Sequence, residues 1–233
     1  MDATRSLKRL GLLLALVIIL QGCGRGTKTP DSLPSPSPPV AAESPSTTPT
    51  PEREEFDFVE AAQQGLIEYT ANGNGSSSGE SLVIHIQRKT SRRLVIHVEP
   101  GTVFGSDSQD VQNMVGLSVR GMISDETTLA FDEVDVITLT DDLSHSYLIE
   151  AYCYNFELEN PQPQNVFVAQ RVDVRVGSIL KAADSANLSV AAKQAAVWMD
   201  HEHITKEKIQ AKFEANDQEL EDAWQLLAKM PPP

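Results

Sequence analysis

Eight of the fourteen prolines fall at positions 30, 34, 36, 38, 39, 45, 49 and 51. Proline fixes φ and lacks a backbone donor, so neither a helix interior nor a central strand can run through this stretch. Residues 24–55, dominated by Pro, Ser and Thr, therefore read as a disordered linker, with Ser35-Pro36-Ser37-Pro38-Pro39 favouring extended polyproline II. At about 3.1 Å per residue the segment reaches roughly 100 Å at most. A folded domain must be built from the residues C-terminal to it. The expected organisation is a β domain over residues 56–176, a helical region over 177–230 packed on it, and a tail at 231–233.

Residues 66–70 have strand character and are followed by turn chemistry, Asn72-Gly73-Asn74-Gly75-Ser76-Ser77-Ser78-Gly79. Residues 81–87 and 93–99 carry nearly the same text, Leu-Val-Ile-His-Ile and Leu-Val-Ile-His-Val, on either side of a polar connection. Two such runs predict a hairpin, with Leu82, Ile84 and Ile86 on one face. Further strands are expected at residues 111–120, 129–139, 147–156 and 167–176. Seven or so strands in about 115 residues suit an immunoglobulin-like sandwich, and with the helices behind it the class is α+β. In that hairpin His85 and His97 would be cross-strand neighbours able to share a metal, but there is no third ligand at a definable spacing, and solvent-face positions are the plainer reading. The acidic loops at residues 105–110 and 140–142 lack the alternating acids and final glutamate of a calcium loop.

After Gly177 the period becomes helical. Residues 178–184 can form a short helix, and Ser189 is placed to cap a second reaching about Met199, with Val190, Gln194, Val197 and Trp198 on one face. Thr205 can cap a third helix, with Ile204 and Ile209 as a staple. Asn216 with Glu219 makes a capping box for a fourth, whose buried stripe would be Leu220, Trp224 and Leu227.

The start of the chain is an address. Arg5, Lys8 and Arg9 precede an apolar run over residues 10–20, too short to span a bilayer, and Leu20-Gln21-Gly22-Cys23 comes immediately after it. This pattern resembles the signal peptide and lipobox of bacterial lipoproteins. The resemblance implies removal of residues 1–22, lipidation of Cys23 and a membrane anchor of two or three acyl chains, palmitate among them. The protein would then sit on the cell membrane or outer membrane, facing the periplasm or the exterior. Without residues 1–22, which carry Asp2, Arg5, Lys8 and Arg9, the chain has 32 acids and 16 bases. Such a surface repels nucleic acid. Lipidation of Cys23 leaves only Cys153, so no intramolecular disulfide is possible, and no cofactor or zinc spacing is present.

Lys193-Gln194-Ala195-Ala196-Val197-Trp198 is similar to the Thr-Gln-x-Ala-Ile-Trp signature of thioester domains in bacterial surface adhesins, with Lys193 in place of the threonine. The resemblance implies an acyl bond between Gln194 and the sulfur of Cys153, open to attack by an amine. The plainer reading makes Cys153 a small buried hydrophobe and Val197-Trp198 core. There is no Gly-x-Ser-x-Gly elbow, His-Glu-x-x-His or phosphate loop. His201 and His203, in Asp200-His201-Glu202-His203, are the best remaining metal candidates. The expectation is thus a lipid-anchored, non-catalytic binding or scaffolding module for an envelope protein or glycan. The alternatives are a covalent adhesin or a metal-dependent envelope enzyme.

Overall fold

The computed structural model describes residues 53–232; the lipobox with Cys23 and the proline-rich stretch as far as residue 52 lie outside the described residues, as does residue 233. In chain order the elements are β1 (Arg53–Asp57), α1 (Phe58–Gln63), β2 (Ile67–Gly73), β3 (Ser78–Arg88), β4 (Arg93–His97), β5 (Thr102–Ser106), β6 (Met114–Asp125), β7 (Ala130–Glu133), β8 (Ile137–Leu139), β9 (His145–Cys153), β10 (Val166–Val172), α2 (Val174–Ser185), α3 (Val190–His201), α4 (Lys206–Lys212) and α5 (Asp217–Lys229).

Strands β5-β10-β2-β3-β9-β6 pair antiparallel in that order, and β6 returns to β5 through Thr102↔Gly116, Val103↔Val115 and Phe104↔Met114. The six strands therefore close into a barrel, with β7 attached to β6 outside the ring. A second sheet has the order β1-β4-β8, with β1 parallel to β4. This corrects the expected immunoglobulin-like sandwich. Counting strands does not reveal the irregularities that bend them: register shifts at Glu80/Leu82, Gly116/Ser118, Val119/Gly121 and Ala169/Arg171 curl the sheet until its edges meet. Gly116 also lets β5 come close, since a Cβ there would stand 3.1 Å from the Phe104 ring and 3.2 Å from Val98.

The predicted hairpin of residues 81–87 with 93–99 does not form. β3 lies between β2 and β9, whereas β4 is the middle strand of the second sheet. The reason is visible in burial: Leu94, Val95 and Ile96 are all fully buried, so β4 is covered on both faces and has no solvent side to set a hairpin register. His85 and His97 accordingly part company. His85 Nδ1 lies 2.8 Å from the Ser146 hydroxyl, and His97 Nε2 lies 3.7 Å from Glu55. The expected strand at residues 129–139 is two strands in different sheets, β7 and β8. The linker expected through residue 55 ends sooner, because Arg53–Asp57 is β1.

Alternate residues of β9 serve two layers. Tyr147, Ile149, Ala151 and Cys153 join one core cluster, which α1 caps through Phe58, its ring 4.8 Å from Tyr69 and 5.8 Å from Phe104. Tyr152, with Tyr154 just past the end of the strand, joins the other, in which Val103, Val115 and Leu117 of the barrel meet Val176 and Leu180 of α2 and Val197 of α3. Each such side chain contributes about 1.5–3 kcal/mol of burial, which fixes the helical layer on the outer face of the barrel. The expected strand through Val176 stops early because Asp173 caps α2, its carboxylate accepting from the Val176 N–H at 3.0 Å. Gly177 thus lies inside the helix and not before it. It allows the helix to touch the turn at Gly101, for a Cβ on Gly177 would stand 2.0 Å from the Pro100 carbonyl oxygen.

Candidate functional site

Two places on the helical layer concentrate polar chemistry. The first is the seam of α3 on β9. Ser189 caps α3 by accepting from the Ala192 N–H at 3.1 Å. From Ala192 to Met199 every residue of α3 is buried, Lys193 and Gln194 included. The carboxamide of Gln194 meets the backbone of Cys153 at both ends: its oxygen accepts from the Cys153 N–H at 2.8 Å and its nitrogen donates to the Cys153 carbonyl at 2.8 Å. The fold therefore brings together the two residues named by the thioester resemblance, with the glutamine acting as a peptide-like partner for the end of β9. The Cys153 thiol lies 3.8 Å from the Met114 sulfur. Burial pushes its pKa up, with the charge of Lys212 opposing only in part, so it stays a thiol and not a thiolate.

Beside it, Lys193 Nζ donates to Glu150 at 3.1 Å and to Asp184 at 2.6 Å, and Glu150 also accepts from the Tyr152 hydroxyl at 2.5 Å. Burial and the Glu150 charge push the Tyr152 pKa up, so the phenol remains a donor. The ammonium of Lys193 is thereby held in ion pairs, and a cavity of about 400 Å³ opens onto this group, rimmed by Glu80 and Arg120.

The second place is a trough between α3, α4 and α5. The capping box predicted at Asn216 is complete: Asn216 accepts from the Glu219 N–H at 3.0 Å and Glu219 accepts from the Asn216 N–H at 2.9 Å. Of the expected buried stripe, however, only Leu220 is buried, and Trp224 is 54% exposed. Trp224 and Leu227 form one wall of a cavity of about 430 Å³ with Met199, His203 and Ile204. A further cavity of about 270 Å³ adjoins it and shares Met199, His203, Trp224 and Leu227, and the trough comprises the two. Lys206 stands 5.6 Å from the Trp224 ring centre, braced by Glu221 at 2.5 Å. Helical periodicity places Trp224 on the apolar stripe but cannot say whether another element covers it.

His201 and His203 go to different surroundings. The His201 ring packs on Tyr154, with centroids 3.8 Å apart and planes at 32°, and His203, at φ 56°, faces the trough. Among the described residues no group of three or more His, Cys, Asp or Glu side chains is placed to hold a metal ion. Cys23, the lipidation site, lies outside the described residues. Among the described residues no helix is long and apolar enough to cross a membrane. No family model matches the chain, and neither a curated protein nor a solved structure matches it.

Proposed function

We propose that the chain is a bacterial envelope lipoprotein, anchored through Cys23, that presents a non-catalytic binding module on a proline-rich tether. The observation that carries the binding reading is the half-exposed Trp224 at the middle of an open trough. Large aromatic side chains left uncovered beside a concave apolar surface are the usual anchors of recognition. The ligand is an envelope protein or glycan. The anchor is tested by detergent phase partition of the native protein: wild type goes to the detergent phase, and Cys23→Ser goes to the aqueous phase or keeps its precursor mass. Photo-crosslinking in intact cells tests the trough. A crosslinker replacing His203 captures a discrete adduct, and one replacing Leu143, exposed on a different part of the fold, does not. Equal labelling from both positions would refute the binding face.

A second reading has its own support. The Gln194 carboxamide lies against Cys153, the pair that a thioester adhesin would join, although its contacts are with the Cys153 backbone and the sulfur lies 3.8 Å from that of Met114. Attack of the Cys153 sulfur on the Gln194 side-chain carbon would form a C–S bond and release ammonia, lowering the mass by about 17 Da. Intact mass with and without methylamine decides it. A calculated mass with a free thiol leaves Gln194 as a hydrogen-bonding lock.

A further inference from the structure

One end of the trough is already lined by the chain's own Pro231 and Pro232. The segment leaves α5 at Met230 with φ −76° and ψ 148°, which is polyproline II geometry before the first proline is reached. Its backbone is held as such strands are held elsewhere. Arg175 Nη1 donates to the Pro231 carbonyl oxygen, and Arg175 is itself fixed by a fork on Asp200, with contacts of 3.1, 3.1 and 2.5 Å. The trough then continues past Trp224 to Met199 and Ile204, where the described residues provide no such strand. An indole face, apolar side chains and a donor aimed at a proline carbonyl are the elements by which polyproline II strands are recognised. A prefolded strand without internal hydrogen bonds loses little entropy on docking and offers its carbonyls outward.

We infer that the trough of α3, α4 and α5 is a receptor for an extended proline-rich peptide, and that Met230 to Pro232 occupies its near end as an internal competitor. The inference rests on the trough being the binding face. The partner is a protein segment rich in proline, which packs its rings on Trp224 and presents a carbonyl to the Arg175 end when the chain's own prolines leave.

The test uses the chain from residue 23 onward with Cys23→Ser, a fluorescent oligoproline peptide and a fluorescent chito-oligosaccharide, each followed by anisotropy. Oligoproline binds saturably. Trp224→Ala weakens it at least tenfold, about 1.4 kcal/mol. Trp224→Phe recovers part of the loss, and deleting residues 231–233 tightens binding by about twofold or more, because the competing occupant is gone. Absence of saturable oligoproline binding in both the intact and the shortened chain overturns the inference, as does equal binding by Trp224→Ala. If the oligosaccharide alone binds and depends on Trp224, the trough stands as the binding face and the peptide reading falls. If neither probe binds, the peptide reading falls, and the trough as a binding face stands or falls with the crosslinking at His203.

Discussion

Helices α3 and α5 lie against each other and have opposite fates. α3 is buried over eight consecutive residues, so even its lysine and glutamine are drawn into the seam with β9. α5 is amphipathic and buries only Leu220 and Ala223, leaving Trp224 to the solvent. The contrast separates two uses of polar and aromatic side chains. In α3 the polar side chains Lys193 and Gln194 are hydrogen-bonded into the seam, and their removal should destabilise the protein. In α5 the aromatic residue completes nothing, and its removal should cost binding but little stability.

The strongest way to break this comparison is Gln194→Ala. It takes the side-chain donor from the buried C=O of Cys153, whose N–H keeps its bond to the Ser77 carbonyl at 3.1 Å, and opens a hole in the seam; together these are expected to lower stability by about 3 kcal/mol in chemical denaturation. Gln194→Glu should cost nearly as much at neutral pH, since a carboxylate cannot donate to the Cys153 carbonyl. If either variant is as stable as wild type, the seam is not what holds α3. Lys193→Met comes next, at about 2–3 kcal/mol, because it leaves the buried Glu150 carboxylate with only the Tyr152 hydroxyl and the more distant Arg120; Lys193→Met combined with Glu150→Gln should recover part of the loss.

Asp173→Ala should cost about 1–2 kcal/mol through the lost cap of α2. Burial alone would raise the Asp173 pKa, but hydrogen bonds from the Tyr154 hydroxyl and the Val176 N–H, with the charge of Arg171, outweigh it and hold the carboxyl below its usual value. A depressed folded pKa stabilises above the unfolded value, about 3.9, and that stability is lost as the pH falls through the folded value. The acid limb of the stability curve should therefore flatten in Asp173→Asn. Cys153 and Tyr152 act at the other end. Their folded pKa values are raised, so their contribution is complete below the unfolded values of about 8.5 and 10 and declines as the pH rises above them. The native thiol should accordingly resist alkylation at pH 8 until the protein unfolds. Trp224→Ala is the smallest expected effect on stability, about 1 kcal/mol or less by thermal melting. A large loss would mean that α5 is a core helix like α3, and the trough would lose its meaning.

Local signals carried the parts of the chain that depend on local chemistry. The caps at Ser189, Thr205 and Asn216 are legible because a short polar side chain before a run of helical spacing satisfies free N–H groups wherever the helix lies. The repeated Leu-Val-Ile text marks β3 and β4 as strands by β-branching and burial. It could not say that they belong to different sheets, because pairing partners are a long-range property. The cap at Asp173 is not legible, because the β-branched run Val172, Val174, Val176 lets strand and helix periods compete.

By itself the sequence determined where proline forbids regular structure, that the chain alternates strands before it turns helical, and which short polar residues start the helices. These depend on steric limits and hydrogen-bond needs within a few residues. Only the tertiary structure decided that six strands close into a barrel, since closure depends on bulges and on the missing Cβ of Gly116. It also decided that Gln194 commits both ends of its carboxamide to Cys153 while Trp224 is left half uncovered. Burial is set by which elements arrive to cover a face, and residues far apart in the chain supply that cover.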